Sequence, residues 1–153
     1  MKAAFLFVLG LLVSLGHAAE LPVKDGLLLH LNAASQRTLR QAAGLPGIGN
    51  SSPVDRWLDE SGGARFASQP FATSRPVYRA DDQEAFVRFD GKDDFLSITG
   101  PKRRAKELTV FVLAAPRSNK GAFSGMFGAA AAGQNDYTSG INLDQGPITD
   151  PQF

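Results

Sequence analysis

The side chains that could do chemistry are few and widely spaced. Residues 20–153 hold one histidine, His30, inside the apolar stretch Gly26-Leu27-Leu28-Leu29-His30-Leu31-Asn32. A general base needs a proton to take and a neighbour to orient it. No second titratable group accompanies His30 in the sequence, so it reads either as a core histidine satisfied by a backbone group or as a catalytic or ligand residue. The carboxylates gather in Asp81-Asp82-Glu84 and at Asp90, Asp93 and Asp94. Glycoside hydrolysis needs two carboxyl groups about 5–10 Å apart across a cleft, but Glu84 shares its strand face with Phe86 and Arg88, and the other carboxylates fall at strand ends. Asp90 and Asp93 read as turn-formers and surface charge, with a calcium site as the alternative. The D-x-[DN]-x-[DN]-G loop that gathers about 6–8 oxygens around that ion is absent. No other cofactor is expected. Arg88 reads as a partner for a carboxylate or as a ligand grip.

Trp57, the only tryptophan, reads as a core anchor or as a platform on a sheet face against which a sugar stacks, and Tyr78 is the second stacking group. These two residues are the expected ligand contacts, and no catalytic residue is expected. The signatures G-x-S-x-G, H-E-x-x-H and G-x-x-x-x-G-K-[ST] are missing. Gly44-Leu45-Pro46-Gly47-Ile48-Gly49 has the wrong spacing for a dinucleotide loop, and its proline removes an amide that a phosphate would need. The chain has no cysteine, which excludes disulfides, thiol catalysis and Cys-ligated zinc.

The elements that must position these residues read as short strands. Sixteen glycines and nine prolines against eleven phenylalanines suit strands joined by tight turns. Strands are expected at Gly26–Asn32, around Trp57, from Pro76 to Tyr78, at Glu84–Phe89, at Asp93–Ile98, weakly within Gly121–Gly133, and at Gly140–Asp144. Ala34–Ala42 is polar, at most a short surface helix or turn, and residues 44–55 and 66–75 read as turns and loop. Asp90-Gly91-Lys92 is expected to join the strands on either side of it into a hairpin. Leu108-Thr109-Val110-Phe111-Val112-Leu113-Ala114-Ala115 is apolar on both faces and rich in β-branched residues, so a central strand covered on both sides is expected, with Phe111→Ala costing about 3–5 kcal/mol.

Residues 1–19 read as a signal peptide: Lys2, an uncharged apolar run too short for the roughly 20 residues of a membrane span, and the small residues Gly16-His17-Ala18-Ala19. Residues 20–153 then form one domain, placed outside the cell, in the periplasm or at the cell surface. The chain carries 16 basic and 15 acidic residues, and Lys2 falls in the leader, so the remainder is balanced. The basic cluster Lys102-Arg103-Arg104-Lys106 is offset by the acidic runs, and nucleic acid is not an expected partner.

Five segments in order carry a resemblance: Leu28–Ala33, Trp57–Gly62, Arg75–Tyr78, Arg88–Leu96 and Glu107–Val112, followed by Asn135–Asn142. Together they resemble the laminin G-like, concanavalin A-like jelly-roll domains of secreted bacterial proteins, over residues 26–144. The resemblance implies an all-β, two-sheet jelly-roll sandwich that binds glycans or protein surfaces, with calcium in some branches. Ser61-Gly62-Gly63-Ala64 departs from the family's SGNG-like turn. The matched portion resembles the first part of the fold, so an incomplete sandwich with open sheet edges, prone to self-association, is expected. The reading that follows is a non-catalytic carbohydrate or envelope-polymer recognition domain. A structural or protein-interaction module of a larger surface protein and a glycan-cleaving enzyme fragment are the alternatives.

Overall fold

The computed structural model describes residues 21–22, 24–98, 107–117 and 121–147. The expected signal peptide and the basic cluster at 102–106 lie outside the described residues. The chain divides between Pro101 and Lys102 into two units.

In the first unit residues 27–32, which carry no regular structure, lead to helix α1 (Gln36–Ala42), followed by strands β1 (Arg56–Leu58), β2 (Phe66–Ser68), β3 (Val77–Ala80), β4 (Ala85–Arg88) and β5 (Ser97–Ile98). Two antiparallel sheets result, one in the order β1-β2-β5 and one pairing β3 with β4. Residues 51–54 run along the other side of β3, with Ser51 N–H donating to Tyr78 O and Val54 N–H to Pro76 O. The core is small: Ala33, Ile48, Val54 and Tyr78, with Trp57, Ala80, Ala85, Val87 and Leu96 packed against it. Strand alternation explains the membership. Trp57 lies opposite Ala67 in the β1–β2 register, on the buried side, whereas Arg56 opposite Ser68 and Leu58 opposite Phe66 take the other face. In the same way Ala85 and Val87 pack against the core while Phe86 and Arg88, on the opposite face, are exposed; Phe89, next in the alternation after Val87, lies beyond the strand and is 45 % exposed.

Polar side chains supply much of what the apolar core lacks. Helix α1 buries Gln36 and Arg40, one turn apart on one face. The Gln36 amide accepts from Leu58 N–H at 2.7 Å and donates to Leu58 O at 2.9 Å, so the side chain pairs with the open edge of β1 much as a neighbouring strand would. Arg40 continues along that edge, donating to Arg56 O, to Asp55 Oδ1 and to Pro46 O. Gln69, fully buried, donates to Phe95 O, accepts from Phe71 N–H and offers its own carbonyl to Arg75.

Among its described residues the second unit holds one antiparallel pair, β6 (Gly125–Ala130) and β7 (Gly140–Asp144), with a register shift between Gly125 and Phe127 and a one-turn helix α2 (Asp136–Ser139) leading into β7. Gly140 lies opposite Ala130, where an added Cβ would run into the Ala129 carbonyl.

The β-rich class is therefore present, as small antiparallel sheets. Several element expectations need correction. Leu108–Ala115 forms no strand, and Phe111 (92 % exposed) and Leu113 (104 %) face solvent. A run apolar on both faces needs a layer on each, and no strand pairs with it among the described residues. The 90–92 turn forms, with Gly91 at φ +74° and Asp90 Oδ1 accepting from Lys92 N–H, but it does not close a hairpin. The segments on either side go to different sheets, β4 to β3 and β5 to β2. The hairpin is instead β3–β4, closed where Asp81 Oδ1 accepts from the N–H groups of Gln83 and Glu84. Residues 27–32 join no ladder, and strand β2 lies in a stretch that reads as turn.

Candidate functional site

The outward face of β1–β2 forms a depression of about 250 Å3 lined by Asp55, Arg56, Phe66, Ser68, Pro70 and Arg75. Arg56, Phe66 and Ser68 come from the two strands, whose register fixes their spacing, and Asp55, Pro70 and Arg75 from the segments that flank them. Phe66 is 41 % exposed, and the Arg56 guanidinium lies 5.2 Å from its ring centroid, within cation–π range. Arg75 is held in place, its Nε donating to Gln69 O and one Nη to Pro70 O, each at 2.8 Å.

Asp55 contributes less negative charge to the depression than its position suggests, because the buried Arg40 guanidinium lies 2.9 Å from its Oδ1. Burial alone would push the Asp55 carboxyl up, but the hydrogen bond and charge of Arg40, with the backbone N–H groups of Arg56 and Asp55 itself, hold it below the ordinary carboxylate value. With Asp55 paired, the remaining charge facing the depression is that of Arg56 and Arg75.

A second polar cluster ties residues 28–32 to the turn after β1. His30 Nδ1 lies 2.8 Å from Glu60 Oε1, and Asn32 Nδ2 donates to the same oxygen. The Asp59 carboxylate accepts from His30 N–H and Ser61 N–H, and from Ser61 Oγ at 2.7 Å. Burial pushes the Asp59 carboxyl up, but those donors and the Arg65 charge bring it below its usual value. His30 thus has an orienting carboxylate, yet among the described residues no hydroxyl hydrogen-bonds to its ring; Ser61 is spent on Asp59. The cluster fastens residues 28–32 to a turn. The same turn carries Gly62 at φ +87° and Ala64 at φ +52°, a left-handed conformation that disfavours a side chain.

Neither sequence-predicted contact residue faces the depression. Tyr78 is 1 % exposed, its hydroxyl donating to Ala33 O, and Arg37 stands over its ring at 5.9 Å, so the core takes it in place of a ligand. Trp57 is half-buried against the same core, and its Nε1 has no acceptor among the described residues. Asp90, Asp93 and Asp94 meet backbone and hydroxyl donors: Asp94 Oδ2 accepts from Asp90 N–H and Asp93 Oδ2 from Ser74 Oγ. Among the described residues no three His, Asp or Glu side chains gather as metal ligands, and no helix is long and apolar enough to cross a membrane. Comparison with protein-family models, curated proteins and solved structures finds no match for this chain.

Sequence reasoning missed Arg56, Phe66 and Arg75. The available signal was the Arg-Trp-Leu triplet: once Trp57 is assigned to the core, alternation sends Arg56 outward.

Proposed function

We propose that this chain is a secreted, non-catalytic recognition domain of the laminin G-like, concanavalin A-like jelly-roll type, and that it binds carbohydrate in the β1–β2 depression. The observation that carries the reading is the pairing there of a half-exposed aromatic ring, Phe66, with polar side chains on one sheet face, of which Arg75 is held by two carbonyls. An aromatic face suits the C–H side of a sugar ring, and guanidinium and hydroxyl groups suit its oxygens. Retention of the full chain on insoluble polysaccharides, supported by a glycan array, tests it. Wild type is retained and Phe66→Ala is released; absence of retention on every glycan rejects the reading.

A protein-interaction module is the second reading, favoured by the open run Leu108–Ala115. An exposed, uncharged stretch rich in β-branched residues, paired with no strand among the described residues, offers backbone donors and acceptors to another strand, including one from a second copy. Sedimentation velocity across a concentration series tests it: self-association weakened by Val110→Lys supports it, and a concentration-independent monomer counts against it.

A further inference from the structure

We infer that the ligand of the β1–β2 depression is an acidic sugar, a pyranose bearing a carboxylate, and this rests on the carbohydrate reading above. Two cationic groups, Arg56 and Arg75, line a cavity of about 250 Å3. The one carboxylate in the lining, Asp55, is already held by Arg40, whose side chain is only 5 % exposed. An incoming anion therefore meets two guanidinium groups and a carboxylate whose charge is countered from behind.

The two arginines differ in a useful way. Arg75 spends its Nε and one Nη on the carbonyls of Gln69 and Pro70, which fixes the guanidinium plane, and its other Nη meets no acceptor among the described residues. A planar donor fork fixed in this way loses little freedom on meeting a carboxylate. Arg56 rests on the Phe66 ring, and its side chain makes no hydrogen bond among the described residues, so its donors can turn toward a ligand without breaking one. Ser68 adds a hydroxyl, and Phe66 and Pro70 add apolar surface. The combination of carboxylate-binding forks with an apolar wall and a hydroxyl matches a uronate ring better than a flexible acidic peptide, which offers no rigid C–H face to Phe66. The cavity is smaller than the roughly 300–1,000 Å3 of drug-sized sites, which suits one ring of a longer chain.

The test is calorimetric titration of the full chain with trigalacturonate, neutral galactotriose and a hexaglutamate peptide. Trigalacturonate is expected to bind at least tenfold more tightly than galactotriose at low salt, with the advantage shrinking as salt is raised. Arg56→Gln and Arg75→Gln are each expected to weaken trigalacturonate binding at least tenfold, while Arg88→Gln, on the exposed face of β4, leaves it unchanged. Arg56→Gln guards against misfolding, since no hydrogen bond among the described residues depends on that side chain; an unchanged Trp57 near-ultraviolet signal verifies this. Galactotriose bound as tightly as trigalacturonate, or trigalacturonate binding indifferent to both arginine variants, overturns the acidic-sugar inference and leaves carbohydrate recognition standing. Hexaglutamate bound as tightly as trigalacturonate overturns it in favour of an acidic peptide. Failure of both sugars overturns the acidic-sugar inference; the carbohydrate reading falls with it only if the full chain is also retained on no glycan of the array.

Discussion

Residues 24–98 and residues 107–147 are built from similar proportions of apolar residues and end in different states. In the first unit every residue of the core cluster has a specific reason to be inside, and polar side chains close what strands leave open: Gln36 and Arg40 along β1, Gln69 across the chain to Phe95, Asp59 and Glu60 onto His30 and Asn32. In the second unit the β6–β7 pair has one half-buried position in β6, and the more hydrophobic run, Leu108–Ala115, is open to solvent. Hydrophobic residues alone do not bring about burial. They need a second layer, and short strands acquire one only where the edges are hydrogen-bonded into place.

The sharpest way to break this contrast is to empty the first core. Tyr78→Ala is expected to cost about 3–5 kcal/mol, the range for deleting a large buried side chain, more if the Ala33 carbonyl is left without its donor. The single tryptophan lies in this unit, so its fluorescence reports the melt. A loss below about 1 kcal/mol would show that Tyr78 is not a core residue.

Removing a polar staple comes next. Arg40→Ala strands the acceptors at Pro46, Arg56 and Asp55 and is expected to cost about 3 kcal/mol, near the lower end for breaking a buried pair because Asp55 is partly solvated. The same pair sets a pH dependence. Asp55 and Asp59 both have carboxyls held below the ordinary value near 3.8, so the unfolded chain takes up their protons first as pH falls. Their contribution to stability is present above about pH 4 and is lost as pH drops through the folded-state values. Acid melts followed through Trp57 should therefore weaken below pH 4, and Asp59→Asn should flatten that fall; an unchanged slope would show that Asp59 is not held low.

At the small end stands Phe111→Ala. The sequence pattern alone predicts a loss of about 3–5 kcal/mol, whereas a side chain 92 % exposed predicts a change within about 0.5 kcal/mol. Urea titration of the variant separates the two.

That difference shows where sequence reading succeeds and fails here. A strand within Glu84–Phe89, a short strand begun at Pro76 and the turn at Asp90-Gly91 were legible because each depends on local alternation or on a residue's own backbone preference, although Phe89, next in the alternation after Ala85 and Val87, is 45 % exposed. What pairs with what was not legible: β4 and β5 flank a well-formed turn and still part company, since pairing depends on distant edges at β2 and β3. Helix α1 was legible only as a polar segment, because Gln36 and Arg40 resemble a solvated face until the open edge of β1 is known to lie against them. The depression was hidden for the same reason. Its arginines belong to different segments, and the aromatic side chain exposed there is Phe66, in a stretch that reads as turn, whereas the more conspicuous Trp57 and Tyr78 are drawn into the core.

Hydrogen–deuterium exchange of the full chain, resolved by peptide, tests the contrast most directly, since protection reports hydrogen-bonded, buried backbone. Strong protection is expected for Val54–Leu58, Ala67–Gln69 and Val77–Ala80, with weaker protection at β6 and β7 and near-unprotected exchange across Leu108–Ala115. Protection of Leu108–Ala115 equal to that of Val77–Ala80 would contradict the account, placing the apolar run in a covered strand.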